Sequence, residues 1–111
     1  MDSARVNYGQ FLLENNDFKQ AAEQFATAEQ LAPTSVLAQT GLGLALFQQD
    51  DDKIINQALT HFQRAVELAT QDKNTNLNLA VCLVRLDRKE EAKLYFQKTS
   101  QITRKKPNVA E

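Results

Sequence analysis

The fold is decided by residues 40–65, TGLGLALFQQDDDKIINQALTHFQRA. Two helical segments flank a polar break, and each contains small residues among large apolar ones. Leu42-Gly43 lies in the first segment, and Ala58 precedes Phe62 by four residues in the second. Small residues inside a helix allow a neighbouring helix to approach closely. This stretch therefore predicts two helices packed face to face.

The same pattern occurs on both sides of this stretch. The counterparts are Tyr8-Gly9 and Leu79-Ala80 for the large-small pair, and Ala21 with Phe25 and Ala92 with Phe96 for the alanine and its aromatic. The interval from Gly9 to Gly43 is 34 residues, whereas the interval from Gly43 to Ala80 is 37. A three-residue insertion between Gln48 and Lys53 explains the difference. The chain therefore contains three copies of one unit.

This unit resembles the tetratricopeptide repeat, a helix-turn-helix motif of 34 residues. The matching residues are Tyr8, Gly9, Leu12, Ala21, Phe25, Ala28 and Pro33 in the first repeat; Leu42, Gly43, Leu46, Ala58, Phe62 and Ala65 in the second; and Leu79, Ala80, Leu83, Ala92 and Phe96 in the third. Arg5, Gln39 and Asn76 stand where the family has its first aromatic residue. Thr99 replaces the last alanine, and Thr70 and Arg104 replace closing prolines. The three repeats nevertheless remain in phase.

The resemblance implies an all-α fold, in which three tandem helix-turn-helix repeats stack into a right-handed superhelix, an α-solenoid. We expect one domain over residues 1–104, with repeats at about 2–35, 36–72 and 73–104, and a flexible tail at residues 105–111. Helices are predicted at residues 3–15, 18–31, 35–49, 53–69, 73–86 and 88–103. Asp17 and Gln20 are expected to form a capping box, and one residue of Asp50-Asp51-Asp52 to cap the fourth helix.

The composition excludes several classes of function. Hydrophobic residues make up 42% of the chain, charged residues 24%, and the formal net charge is −1. This balance indicates a soluble protein without a strong field for nucleic acid or an anionic membrane. No signal peptide is recognised, and no apolar run reaches the ~20 residues of a membrane span. The single cysteine excludes an intramolecular disulfide, so a cytoplasmic location is expected.

The sequence offers no catalytic constellation, and we expect no enzyme activity, cofactor or metal. His61 has no acidic partner one helical turn away and is expected to be a solvated surface residue. Cys82 is expected to be a small buried residue. The acidic run Asp50-Asp51-Asp52 lacks the glycine and the distal glutamate of a calcium loop.

The resemblance implies that the first helix of each repeat lines a concave, partner-binding groove. The residues carried over are Val6, Gln10 and Leu13; Thr40, Leu44 and Phe47; and Leu77, Asn78, Val81, Val84 and Arg85, with Glu14 near the rim. Leu44 and Phe47 are expected to lie away from the alanine-phenylalanine packing seam. The apolar stripe suits an amphipathic helix or an apolar extended segment. Alternatively, several of these residues are half-buried against neighbouring helices and never meet a partner.

One branch of the family binds the C-terminal carboxylates of heat-shock chaperones through two lysines, two asparagines and an arginine. The matching positions here are Val6, Gln10, Gly41, Asn74 and Asn78. None of them is a cation, and a buried carboxylate needs charged donors. We therefore expect a protein or peptide partner that is not a chaperone C-terminus.

Two alternatives to an adaptor remain open. The chain could be a self-assembly module that forms homo-oligomers, or a regulatory domain cut from a larger enzyme or assembly factor. Leu94 and Tyr95 are apolar where earlier repeats have polar residues, and we expect them to contact a second copy, a following domain or the partner. The alternative is that Tyr95 packs only on its own repeat.

Overall fold

The computed structural model of the chain describes residues 2–104, which form six helices and no strand. The helices are α1 Asp2–Glu14, α2 Phe18–Leu31, α3 Val36–Phe47, α4 Asp52–Leu68, α5 Lys73–Arg85 and α6 Lys89–Arg104. Each bound lies within two residues of its predicted position. The predicted all-α repeat fold is confirmed. The tail predicted at residues 105–111 lies outside the described residues.

The helices pack as three consecutive pairs, α1 with α2, α3 with α4, and α5 with α6. Each pair is joined through a residue in the left-handed region: Asn16 at φ 62°, Asp50 at φ 54° and Asp87 at φ 61°. Asparagine and aspartate adopt this region more readily than other non-glycine residues because their short polar side chains bond locally. Successive pairs join through α2 on α3 and α4 on α5, which produces the right-handed superhelix.

Polar side chains fix the start of three helices. Ser35 Oγ accepts a bond from the Ala38 N–H at 3.1 Å, at the start of α3. Asp51 Oδ1 accepts bonds from the first turn of α4 at 3.0 and 3.2 Å, which confirms the predicted aspartate cap. Asp72 Oδ2 accepts the Thr75 N–H at 2.9 Å and caps α5 in the same way. These caps satisfy N–H groups that a helix leaves unpaired at its N-terminus.

The capping box predicted at Asp17 is wrong. Asp17 precedes α2, but its side chain makes no capping hydrogen bond. Its ψ is 70°, whereas the three aspartate and serine caps have ψ between 115° and 127°. Its own N–H donates to the Leu12 carbonyl at 2.8 Å and holds it in the turn. The backbone therefore turns the Asp17 side chain away from the helix start.

The three-residue insertion lies in the first turn of α4 and not in the connecting turn. Both α2 and α4 begin two residues after the positive-φ residue of their turn, so the insertion does not lie between that residue and the start of the helix. Ala21 is the fourth residue of α2, whereas Ala58 is the seventh residue of α4. Three residues are slightly less than one turn of about 3.6. The insertion therefore lengthens α4 at its N-terminal end.

Phenylalanines from the second helices fill the space between the pairs. Phe25 is fully buried between α1 and α3. A Cβ on Gly9 would lie 2.8 Å from its ring, and a Cβ on Gly41 would overlap the ring. Phe62 has the same relation to Gly43, at 2.6 Å. Any side chain at these glycines would displace an aromatic ring, so the small residues have the predicted packing role.

The buried apolar residues form two clusters along the stack. The first core cluster consists of Leu12, Ala21, Phe25, Leu42 and Ala45. The second core cluster consists of Ile55, Ala58, Leu59, Phe62, Val66, Leu79, Cys82, Leu83 and Ala92. Leu46 on α3 packs against both clusters. The middle pair therefore links the two ends of the core.

Two buried amides replace the family's first aromatic residue. Gln39 and Asn76 are fully buried at equivalent positions of α3 and α5. Gln39 Nε2 donates to the Pro33 carbonyl at 3.1 Å, and Asn76 Nδ2 donates to the Thr70 carbonyl at 3.0 Å. Pro33 and Thr70 are themselves equivalent, so each of the two turns between pairs is held by the same kind of hydrogen bond, from a buried side-chain amide to a turn carbonyl. The two departures from the motif therefore have a common structural role.

The expectation of a solvated His61 is wrong. His61 is half-buried, and its Nδ1 lies 2.9 Å from Gln39 Oε1. The Gln39 amide nitrogen donates to Pro33, so its oxygen accepts and His61 Nδ1 carries the hydrogen. Burial lowers the pKa of His61, although the charge of Glu29 opposes the shift, and this favours the neutral imidazole. His61 therefore links α4 to α3 through Gln39.

Cys82 is buried in the second core cluster, as predicted. Its Sγ lies 3.8 Å from the Ile55 carbonyl oxygen. Burial raises the pKa of the thiol to about 11. Cys82 is therefore protonated at pH 7, and only a thiolate would be a good nucleophile or metal ligand.

Candidate groove on the first helices

Two adjoining hollows open along α1, α3 and α5. The first has a volume of about 220 Å³ and is lined by Leu44, Phe47, Gln48, Phe62, Asn78 and Val81. The second has a volume of about 230 Å³ and is lined by Leu13, Asn16, Phe18, Leu44 and Gln48. Leu44 and Gln48 belong to both hollows. We call the combined surface the groove; it extends from α1 across α3 to α5.

The groove brings together five residues of the set expected from the sequence, namely Leu13, Leu44, Phe47, Asn78 and Val81. The other six expected residues line neither hollow. Val6 packs against the first core cluster, Thr40 and Leu77 are half-buried, and Gln10, Val84 and Arg85 are exposed.

Sequence reasoning missed four lining residues, Asn16, Phe18, Gln48 and Phe62. All four lie in turns or on second helices, which were not expected to reach the groove. Gln48 could have been found, because it is equivalent to Glu14 and Arg85 at the rim. Phe62 could have been found from Gly43, since a glycine allows the ring of the opposing helix to reach the first helices.

The expectation that Leu44 and Phe47 lie away from the packing seam is wrong. Both side chains are half-buried and pack against the second core cluster. The Phe47 and Phe62 rings meet edge to face, with centroids 6.4 Å apart and an interplanar angle of 61°. The residues of α3 that line the groove therefore also contact the second core cluster. A polar substitution at Phe47 would therefore disturb folding as well as binding, whereas Val81 is 47% exposed.

The groove lining combines an apolar floor with side-chain amides. Leu44, Phe47 and Val81 supply the floor of the first hollow, and Gln48 and Asn78 lie beside it. An amide offers both donors and an acceptor, so it can bond to the main chain of a bound segment. All residues lining the two hollows are uncharged. The groove therefore provides neither a nucleophile nor a general base.

Arg85, which was expected at the groove, is held by the preceding turn. Its Nη2 lies 3.0 Å from Asp50 Oδ1 and 3.0 Å from Asp52 Oδ1. The hydrogen bonds to Asp50 and Asp52 raise the pKa of Arg85. Both aspartates are more than 80% exposed, and such surface pairs contribute little to stability. The pairing directs the Arg85 charge away from the groove.

The five positions that match the chaperone clamp have different surroundings. Gly41 lies under the Phe25 ring, where no side chain fits. Val6 packs against the first core cluster, and Asn78 lines the groove. The structure therefore leaves no room for a cation at Gly41 unless Phe25 moves.

The two residues expected to form a second contact differ in their surroundings. Leu94 is 64% exposed on α6. Tyr95 is half-buried and packs against the second core cluster, to which its own helix pair and the preceding pair both contribute. Any contact beyond the repeats at this place would therefore involve Leu94 more than Tyr95.

Among residues 2–104, no helix is both long and apolar enough to cross a bilayer. In the same range, no group of three or more His, Cys, Asp and Glu side chains is arranged to hold a metal ion.

Two profiles of the tetratricopeptide repeat match the chain, one over residues 6–53 and the other over residues 74–105. The comparison with curated proteins gives no match. A solved structure of the MamA RS-1 ArsTM double mutant is 25% identical, with a TM-score of 0.86 over 94% of this chain and 57% of that chain. Human IFIT1, solved as a dimer with PPP-AAAA, is 28% identical, with a TM-score of 0.83 over 89% of this chain and 25% of that chain.

The second TPR of Spaghetti (RPAP3), solved with the HSP90 peptide SRMEEVD, is also similar. It is 13% identical, with a TM-score of 0.84 over 91% of each chain. At that identity the similarity concerns the fold alone. The chain spans little more than half the length of the MamA structure and a quarter of IFIT1.

Proposed function

We propose that this chain, which belongs to the tetratricopeptide repeat family, binds a polypeptide segment in its groove and catalyses no reaction. The observation that carries the proposal is the continuity of the two hollows, which share Leu44 and Gln48 and have an uncharged lining. The RPAP3 structure, with its bound peptide, supports this use of the fold. The single, buried cysteine fits a reducing compartment, and we place the protein in the cytoplasm.

The groove favours an extended apolar segment over an amphipathic helix. An extended main chain has unpaired N–H and C=O groups, which the amides of Gln48 and Asn78 can satisfy. A helix has already paired these groups internally, so the amides would gain little from it. The segment would place one apolar side chain in each hollow.

A charge in the groove is expected to weaken binding without unfolding the protein. Val81→Asp places a carboxylate on the apolar floor, and we expect at least a roughly tenfold loss of affinity for peptides selected from a displayed random library. Leu68→Asp is the matched control, because Leu68 is 39% exposed on α4 and lines neither hollow. Calorimetry and melting curves on both variants provide the comparison. Equal losses of affinity in the two variants would contradict the proposal.

The free carboxylate of an acidic C-terminal peptide is expected to contribute nothing to binding. The groove lacks the charged donors that a desolvated carboxylate needs. The probe is the peptide SRMEEVD, titrated as the free acid and as its C-terminal amide. We expect the two forms to behave alike in calorimetry. Micromolar binding by the acid that disappears on amidation would refute this prediction.

A further inference from the structure

The outer face of α1, defined by Tyr8 and Phe11, is apolar and exposed. The two residues are 48% and 57% exposed, and their rings stack with centroids 6.5 Å apart. The equivalent residues are Leu42 and Ala45 on α3 and Leu79 and Cys82 on α5, all of which are buried. Helix α2 covers these residues on α3, and helix α4 covers them on α5. Within residues 2–104, no helix covers the corresponding face of α1.

The outer face of α6, defined by Lys89, Lys93 and Phe96, is the counterpart. Phe96 is equivalent to the buried Phe25 and Phe62, yet it is 39% exposed. Lys89 and Lys93 are exposed and occupy the positions that Ile55 and Leu59 have in α4. In α4 these positions face the next helix. The Cys82 Sγ, for example, lies 3.8 Å from the Ile55 carbonyl oxygen.

We propose that the outer face of α6 in one copy of this chain docks on the outer face of α1 in a second copy, repeating the contact of α4 with α5. Both faces of the proposed contact differ from the α4–α5 contact, and the change on one face suits the change on the other. Helix α4 supplies isoleucine and leucine to aliphatic partners, whereas α6 supplies lysines to aromatic rings. Ammonium groups are attracted to the faces of aromatic rings, and lysine stems pack along apolar surface.

The charges at the rim are complementary as well. At the internal junction, Arg85 of α5 pairs with Asp52 at the start of α4. The residue equivalent to Arg85 on α1 is Glu14, whereas Asp52 belongs to the three-residue extension of α4 and has no equivalent on α6, whose first residue is Lys89. Head-to-tail docking would bring Lys89 to the same end of the interface as Glu14, with charges of opposite sign. Asp87, the equivalent of Asp50, has the same charge as Glu14, so Lys89 alone attracts Glu14.

Phe96 also has a matching contact residue on α1. Phe62 lies beside Asn78, and both line the first hollow. The residue equivalent to Asn78 on α1 is Asn7, so Phe96 would meet an asparagine in the same way. The two faces differ from each other, so the contact is heterologous and can repeat into an open superhelical chain. None of the face residues lines the groove, and this proposal therefore stands or fails separately from peptide binding.

The experiment is sedimentation velocity on the full chain over a wide range of concentration. We expect the average mass of the wild type to rise with concentration. Phe11→Gln removes the aromatic ring from the α1 face without adding a charge for the lysines, and Lys93→Glu places a carboxylate on the α6 face, so each variant alone is expected to stay monomeric. An equimolar mixture of the two is expected to form a 1:1 dimer and stop, because each variant keeps the face that the other has lost.

Three results would overturn the proposal. The first is a wild type that stays monomeric at the highest concentration. The second is a Lys93→Glu variant that still dimerises, which would mean that two α1 faces pair with each other. The third is loss of association in Leu94→Glu, a control on the other side of α6. Circular dichroism checks folding, and Tyr8→Gln replaces Phe11→Gln if the latter melts early.

Discussion

Replacing Phe25 with alanine is expected to lower the free energy of unfolding by about 3–5 kcal/mol. The ring is fully buried and fills the space between α1 and α3. Its neighbours Gly9 and Gly41 have no side chains that could move into the cavity. The substitution would therefore leave a void at the junction of three helices, and the lost contacts would not be replaced.

Urea denaturation followed by circular dichroism measures this loss. The matched control is Phe11→Ala, because Phe11 is the same residue type but is 57% exposed on α1. We expect the control to change the unfolding free energy by no more than about 0.5 kcal/mol at low chain concentration. Similar losses in the two variants would mean that Phe25 does not hold the first two pairs together.

Replacing Ala58 with tryptophan is expected to cost at least the upper end of about 1–3 kcal/mol. Ala58 is fully buried on α4 and belongs to the second core cluster. An indole at this position would push α4 away from its neighbours, because the core around it is already filled by Phe62 and Leu59. The second pair is expected to lose its packing first.

Melting curves on Ala58→Trp and on Thr60→Trp separate overpacking from a general effect of tryptophan in the helix. Thr60 is exposed on the same helix, two residues further along. We expect a large drop in melting temperature for Ala58→Trp and little change for Thr60→Trp. Comparable melting temperatures for wild type and Ala58→Trp would show that the seam tolerates a large side chain.

The fold could be predicted because its determinants are local. Small residues at Gly9, Gly43 and Ala80, each followed by an aromatic on the next helix, fix how each pair packs. Helix ends were predicted to within two residues because polar turn residues separate the helices within each repeat. The errors concern residues whose surroundings depend on a partner distant in the sequence or on a backbone angle. His61 bonds to Gln39 on another helix, and Asp17 has a ψ unsuited to a cap.

The candidate groove could be predicted only in part. The resemblance to the family placed Leu44, Asn78 and Val81 on the groove side of the first helices, and these three residues line the first hollow. The depth of the hollows depends on how far the second helices reach between the first ones. Because α4 extends between the first helices, Phe62 lines the groove and Phe47 packs against the Phe62 ring. Spacing along one helix contains no information about either effect.

We expect the groove along α1, α3 and α5 to be the surface that binds the partner. Methyl-labelled nuclear magnetic resonance, during titration with a library-selected apolar peptide, tests it most directly. We expect shifts at the methyl groups of Leu13, Leu44 and Val81, with Leu31 and Leu68 unchanged, although these two are also exposed. Shifts confined to α2, α4 or α6, with the groove methyls unmoved, would contradict it.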